Sequence, residues 1–471
     1  MSQASNTASK ASARGQGAYR LIWRWHFYAG LFCLPFVLWL ATTGTIYLLK
    51  PQLEPLLENQ YAHVAHGPAL PASVQVTAAL KAVPGSVLNA YQLPTSPVAA
   101  TRILVGRSSE LIRVFVDPST AHVLNVVREN DRFMRVIFYL HGELLLGSGG
   151  SMLVELAASW TILMLMTGLY LWWPRNARLG GTLYPRLSAG GRTFWRDLHA
   201  VTGMWISMLA LFMLLSGLPW TKSWGGMLHS IRQAYSTTTS QDWTTGSASE
   251  RAQIKAENTQ PLNHDSHASM SMDMPGMDMG DMSDSTSSDY TAIDRLVPVV
   301  AAQDLVPPVL IAPPSQRTPN WTARSDTDDR PRRVDLVLDA KNGSVSRRTT
   351  FAQKPLLDRI IGYGVAIHEG ALFPPLNQIL GIFTALGLMT LCTSAVVMWW
   401  RRRPKGVLGA PPAIDNPRYP RVLITLLILL GVLLPLLGAS MLLVWFIERV
   451  FLSRIERARV FLGLSAGAKL A

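Results

Sequence analysis

Cysteine is nearly missing: Cys33 and Cys392 are the only two in 471 residues. Both fall inside long apolar runs, which excludes a Cys-x-x-Cys redox motif, a thiolate set for an iron–sulfur cluster and a disulfide framework in the polar segments. They read as packing residues. Charge is scarce too, at 15% of residues, and acids are outnumbered by bases, 30 against 43. The basic excess is dispersed at the ends of apolar runs and forms no recognition-helix pattern, so nucleic acid is not its partner. No Gly-x-Gly-x-x-Gly turn opens a βαβ unit, and the short basic segments leave no room for a flavin domain.

Apolar length is what the chain has, with 49% hydrophobic residues. The first run, within 26–50, has no charge between Arg24 and Lys50 and exceeds the roughly 20 residues needed to cross about 30 Å of hydrocarbon. It lacks a small-x-small cleavage site and reads as a retained anchor. Further spans fall in 141–173 and 368–400, each led by an outer helix, and in 199–220 and 422–447. Bases gather before the first span (Lys10, Arg14, Arg20, Arg24), between the second and third (Arg175, Arg178, Arg186, Arg192, Arg196) and after the fourth (Arg401, Arg402, Arg403, Lys405). The positive-inside rule makes 1–25, 174–198 and 401–421 cytoplasmic and puts 51–140 and 221–367 outside. The tail, 448–471, resists this scheme. After a fifth span it belongs outside, yet it carries Arg449, Arg454, Arg457 and Arg459.

Laid against itself, the chain is a duplication. His26 is followed by Gly30 and Gly44, and His199 by Gly203 and Gly217, at identical offsets; His141 precedes Trp172-Trp173 by the same distance as His368 precedes Trp399-Trp400. Between the spans, Val116-Asp117 through Val123 recurs as Leu338-Asp339 through Val345. The unit is span, small outside domain, span, repeated in one orientation, which relates the halves by an axis along the membrane normal. Each outside segment reads as a helix (Val74–Ala82, Ala292–Ala302) followed by four short strands. The predicted fold class is a mainly α membrane protein with four core transmembrane helices plus a C-terminal fifth, internally duplicated, bearing two small α+β domains at 51–140 and 291–367.

The repeat selects four of ten histidines. His26 and His199 begin the first and third spans near the cytoplasmic face; His141 and His368 form the matching pair near the outer face. An axis between the halves brings each pair to opposite sides of one planar ligand, and haem accepts two axial imidazoles. The competing readings are helix-end histidines at the interface and a zinc or copper site, which two imidazoles alone leave incomplete. From either outer histidine to its Trp pair, a straight helix would run roughly 46 Å. The Gly147-Ser148-Gly149-Gly150 and Pro374-Pro375 breaks therefore separate a short outer helix from each span. Glu155 is the sole acid in the second run after the Gly147–Gly150 break and suits a proton path, a quinol contact or an interface position.

The second outside segment holds about 54 extra residues, which fall in 221–290 and have the composition of a chain without a core. Within it, His264, His267, Met270, Met272, Met274, Met277, Met279 and Met282 alternate with acids. Thioethers and imidazoles are copper ligands, and a plain linker is the alternative.

The stretches WRWHFYAGLFCLPFVLWLATTG and WRDLHAVTGMWISMLALFMLLSG, the WWPR and WWRRR helix ends and the FVDPSTAHV hairpin resemble the PepSY-associated transmembrane family. The resemblance covers most of residues 20–450. It implies two b-type haems on the histidine pairs, two PepSY domains in the periplasm, and a place in a bacterial inner membrane, in contact with lipid. It implies haem-dependent reduction of ferric-siderophore iron, with electrons from quinol or a cytoplasmic donor. Copper reduction or handling, and a non-enzymatic PepSY sensor or regulatory role, are the alternatives, and the Met/His insert is where this chain departs from the pattern.

Overall fold

The computed structural model describes residues 2–174, 179–235, 290–315, 318–411 and 420–464. The Met/His run, from His264 and His267 through Met270, Met272, Met274, Met277, Met279 and Met282, lies outside the described residues. In chain order the helices are α1 (Ser2–Leu48), α2 (Lys50–Leu57), α3 (Ala72–Ala82), α4 (Phe133–Glu143), α5 (Gly147–Trp172), α6 (Gly191–Gly217), α7 (Lys222–Tyr235), α8 (Ala292–Ala301), α9 (Leu356–His368), α10 (Leu376–Arg402), α11 (Arg421–Leu433), α12 (Pro435–Val450) and α13 (Glu456–Leu462). The strands are β1 (Val87–Gln92), β2 (Thr101–Arg107), β3 (Glu110–Val116), β4 (Val123–Arg128), β5 (Val309–Ala312), β6 (Trp321–Ser325), β7 (Val334–Leu338) and β8 (Val345–Thr350). The chain divides into two units: Met1–Leu48, Ile137–Ala248 and Phe373–Ala471 form one, Leu49–Val136 and Ser249–Leu372 the other.

Five helices of the first unit are long and apolar enough to cross a membrane: Gly17–Leu48, Gly147–Trp172, Gly191–Trp220, Leu376–Arg402 and Pro435–Arg454. α1 packs against α5 and α10, and α6 packs against the same two helices, so α1 and α6 face each other diagonally across a four-helix core. Cys33 and Cys392 meet in that core beside Val37 and act as small apolar side chains. The expected outer breaks are present. Leu144, Leu145 and Gly147 take left-handed backbone at φ 53°, 58° and 57° and turn the chain between α4 and α5. α9 ends at His368, and Gly370, also left-handed, precedes α10.

The single fifth span expected over 422–447 is corrected. Pro435, which cannot continue a helix from Leu434, splits it into α11 and α12. The two halves double back on each other: a Cβ on Gly438 would lie 2.6 Å from the Gly431 carbonyl oxygen, so only glycine permits the crossing. The tip, Leu434 and Leu437, packs on Ile162 and Leu218, and Trp224 donates its indole N–H to the Leu433 carbonyl at 3.1 Å. Beyond α12 the chain returns to the Arg24–Tyr28 stretch of α1. Arg24 donates to the carbonyls of Pro411 and Gly463, Tyr28 to that of Leu462, and Leu408 N–H to Phe461 at 2.9 Å. The basic tail therefore lies on the side of Arg24, which removes the conflict with the positive-inside rule. In sealed right-side-out vesicles, a cysteine at Arg457 should stay unlabelled by a membrane-impermeant maleimide until the bilayer is opened, while one at Lys81 labels at once. Immediate labelling at position 457 would restore a fifth crossing.

In the second unit the two α+β modules do not form separate sheets. β1 pairs antiparallel with β5, its repeat counterpart, joining Tyr91 to Ile311 and Gln92 to Leu310. The result is one eight-stranded antiparallel sheet in the order β4-β3-β2-β1-β5-β6-β7-β8. Equivalent strands side by side and antiparallel are what a two-fold between the halves produces. α3 and α8 share one side of it, where Val76, Ala79, Ile293, Leu296 and Val300 bury a common core with Ile103, Val114, Ile311 and Leu336. A helix and four short strands close too small a core alone; the pair closes one together. Asp294 of α8 ties the helices by accepting the Ser73 N–H at 2.8 Å. At the end of the first half, Arg132 bridges Glu54, Glu58 and Glu129. Burial alone would push the Glu129 carboxyl up, but the Arg113, Arg132 and Arg135 guanidinium groups together hold it below the usual carboxylate range.

Candidate functional site

Diagonal packing of α1 and α6 puts His26 and His199 opposite each other, with ring centres 6.4 Å apart and planes crossing at 83°. Two imidazoles bound from opposite sides to one ion, at about 2.0–2.1 Å per bond, have ring centres roughly 6.3 Å apart. The separation is thus that of two axial ligands, and too wide for stacking or a direct hydrogen bond.

Each ring is held by its other nitrogen. His199 Nδ1 lies 3.2 Å from the Leu391 carbonyl and 3.1 Å from Ser394 Oγ; a carbonyl only accepts, so Nδ1 carries the proton. His26 Nδ1 lies 3.1 Å from Thr167 Oγ1, whose own proton goes to the Leu163 and Met164 carbonyls, so this nitrogen also donates. In both rings Nε2 keeps the lone pair a metal needs. Hydrogen bonds of this kind set the tautomer and ring orientation of metal-binding histidines. Thr167 and Ser394 occupy equivalent positions of the two repeats.

The outer level follows the same plan where it is described within one unit. His141, near the end of α4, has Nδ1 3.1 Å from Thr43 Oγ1, and Thr43 passes its proton to the Trp39 carbonyl. His368 closes α9 in the other unit and is half-buried. Beside it, burial pushes the Glu369 carboxyl up against the opposing pull of Arg330, 3.9 Å away.

The fit to haem rests on this donor set: two neutral imidazoles, oriented, opposed and walled by apolar helices. Among the described residues no group of three or more His, Cys, Asp or Glu side chains gathers to hold a metal ion, so the inner pair lacks the further protein ligands a zinc centre takes. Glu155 caps a helix. Its carboxylate accepts the backbone N–H groups of Ser223 and Trp224 at 2.9–3.2 Å, capping the first turn of α7.

The hydroxyl anchors and Gly168 did not stand out in the sequence, and Gly44 did so only as a landmark of the repeat. A Cβ on Gly168 would sit 3.1 Å from His26 Cε1, and one on Gly44 3.1 Å from His141 Cε1. The signal was present in the duplication: Thr43-Gly44 and Ser216-Gly217 correspond, as do Thr167-Gly168 and Ser394-Ala395.

The family model described as the PepSY-associated TM region matches residues 23–402, a range that contains all four repeat-selected histidines. No curated protein matches the chain.

Proposed function

Because this chain belongs to the PepSY-associated transmembrane family, we propose that it is a bacterial inner-membrane di-haem reductase that passes electrons outward to ferric-siderophore iron in the periplasm. The observation that carries the reading is the His26–His199 pair, opposed at 6.4 Å with both Nδ1 atoms committed to hydrogen bonds. Bound haem supplies a one-electron iron couple in an apolar setting. His26 and His199 hold it at the cytoplasmic level, oriented by Thr167 and Ser394. His141, oriented by Thr43, and His368 serve the outer level.

The chain has no nucleotide-binding fingerprint, so its electrons come from quinol or a cytoplasmic donor. The acceptor follows from coordination chemistry. Siderophores grip Fe(III) through hard oxygen donors, and one electron converts it to a softer, less charged ion that they hold weakly. The Met/His run at 264–282 favours a second reading, Cu(II) reduction with thioethers receiving Cu(I).

The deciding experiment reduces purified protein with dithionite, removes the excess and titrates anaerobically with a ferric siderophore or a Cu(II) salt. Reoxidation by one Fe(III) per haem is expected. Reoxidation by copper alone would transfer the function to copper, and protein with no haem spectrum would leave a non-enzymatic PepSY membrane protein.

A further inference from the structure

Resting on the haem reading, we propose that Arg192, Arg401 and Arg402 form the seat for the two propionate carboxylates of the inner haem. These three residues, with Trp195 and Met398, line an open cleft of about 120 Å³. The cleft belongs to the same helix faces as the inner histidine. On α6, Arg192 and Trp195 precede His199 by two turns and one turn, so they share its face, roughly 10 Å and 6 Å toward the cytoplasmic end. On α10, Met398 and Arg401 stand in the same relation to Ser394, the residue that holds the His199 ring.

Among the described residues no carboxylate pairs with any of the three arginines, and Asp197 on the same helix is taken by Arg186 and Arg196. Arg402 is already in place, lying over the rings of Trp23 and Phe27, which flank His26 on α1. Guanidinium groups are the preferred partners of carboxylates because the planar fork matches them.

Asymmetry strengthens the assignment. The histidines and their hydroxyl anchors obey the internal two-fold, but the cleft does not. The repeat counterparts of Arg192, Trp195, Met398 and Arg401 are Tyr19, Ile22, Leu171 and Pro174, none of them charged. Only Arg402 has a basic counterpart, Arg175, which lies outside the described residues. A b-type haem has the same mixed symmetry: a nearly symmetric ring with both acids on one edge. One-sided arginines at a two-sided histidine pair give that edge a single direction, toward the α6–α10 mouth and the cytoplasm.

The test reloads purified, haem-stripped full-length protein with haem or with haem dimethyl ester, in wild type, in R192Q/R401Q/R402Q and in the corresponding triple lysine variant. Loss of charge-assisted hydrogen bonds should make wild type bind the ester about tenfold or more weakly than haem at the inner level. The glutamine variant should lose that preference and the lysine variant keep it. Equal uptake of both porphyrins by wild type overturns the seat while leaving the haem reading intact. So does a preference that survives in the glutamine variant, including the case where that variant instead loses a co-purifying anionic phospholipid. Wild type that loads neither porphyrin overturns the haem reading itself.

Discussion

Alanine at His26 or His199 is expected to take the purified protein from two haems per chain to one, read as the ratio of pyridine haemochrome to protein. The remaining haem should keep the spectrum of a six-coordinate, low-spin centre, because His141 stands beside Thr43, far along α1 from His26. His141→Ala and His368→Ala should remove the complementary haem. The effect is large because, on the proposed haem reading, each inner ring would supply one of two protein bonds to the iron, and its partner ring 6.4 Å away cannot close the gap. Loss of a hydroxyl anchor should do less. Thr167→Ala and Ser394→Ala leave Nε2 in place but release the ring, and removal of such outer partners typically costs 10–100-fold in metal affinity. The two series together separate ligation from orientation. Protein that lost His26 and still held two haems with an unchanged spectrum would end the pairing of His26 with His199.

Much of this arrangement was legible because a duplication supplies its own comparison. Four histidines stood out from ten by their offsets alone, and the structure places two of them, His26 and His199, opposite each other. The spans and the short strands were readable from periodicity, since Val334–Leu338 and its neighbours alternate and end at turn residues. Three features were out of reach for physical reasons. The β1–β5 pairing joins segments over 200 residues apart, and nothing local to either strand specifies which free edge it will meet. The α11–α12 hairpin hid inside a hydrophobic run because summed apolarity does not register a reversal; Pro435 and the Gly431–Gly438 pair were the only traces. Glu155 kept three readings because an isolated carboxylate in an apolar run has no visible partner in sequence, and its partners are backbone N–H groups of a later helix.

The same reasoning yields a prediction that touches no ligand. Leucine at Gly168 should abolish the inner haem, and leucine at Gly44 the outer one, each leaving the other intact. A Cβ at either position already comes within 3.1 Å of the imidazole Cε1, tighter than ordinary contact, and leucine adds a branched end beyond that Cβ. Overpacking costs about 1–3 kcal/mol when neighbours yield; here the neighbour that yields is the ligand. Displacing the His26 ring also breaks its 3.1 Å contact with Thr167, so position and tautomer are lost together. Alanine is the control. Ala395 already occupies the place of Gly168 in the second repeat, so Gly168→Ala should keep two haems with at most a small change in affinity. The surviving haem reports that the bundle has folded, which separates a local clash from general collapse. Retention of both haems in Gly168→Leu would mean that α5 does not buttress the His26 ring, and the geometry argued for the inner site would have to be abandoned.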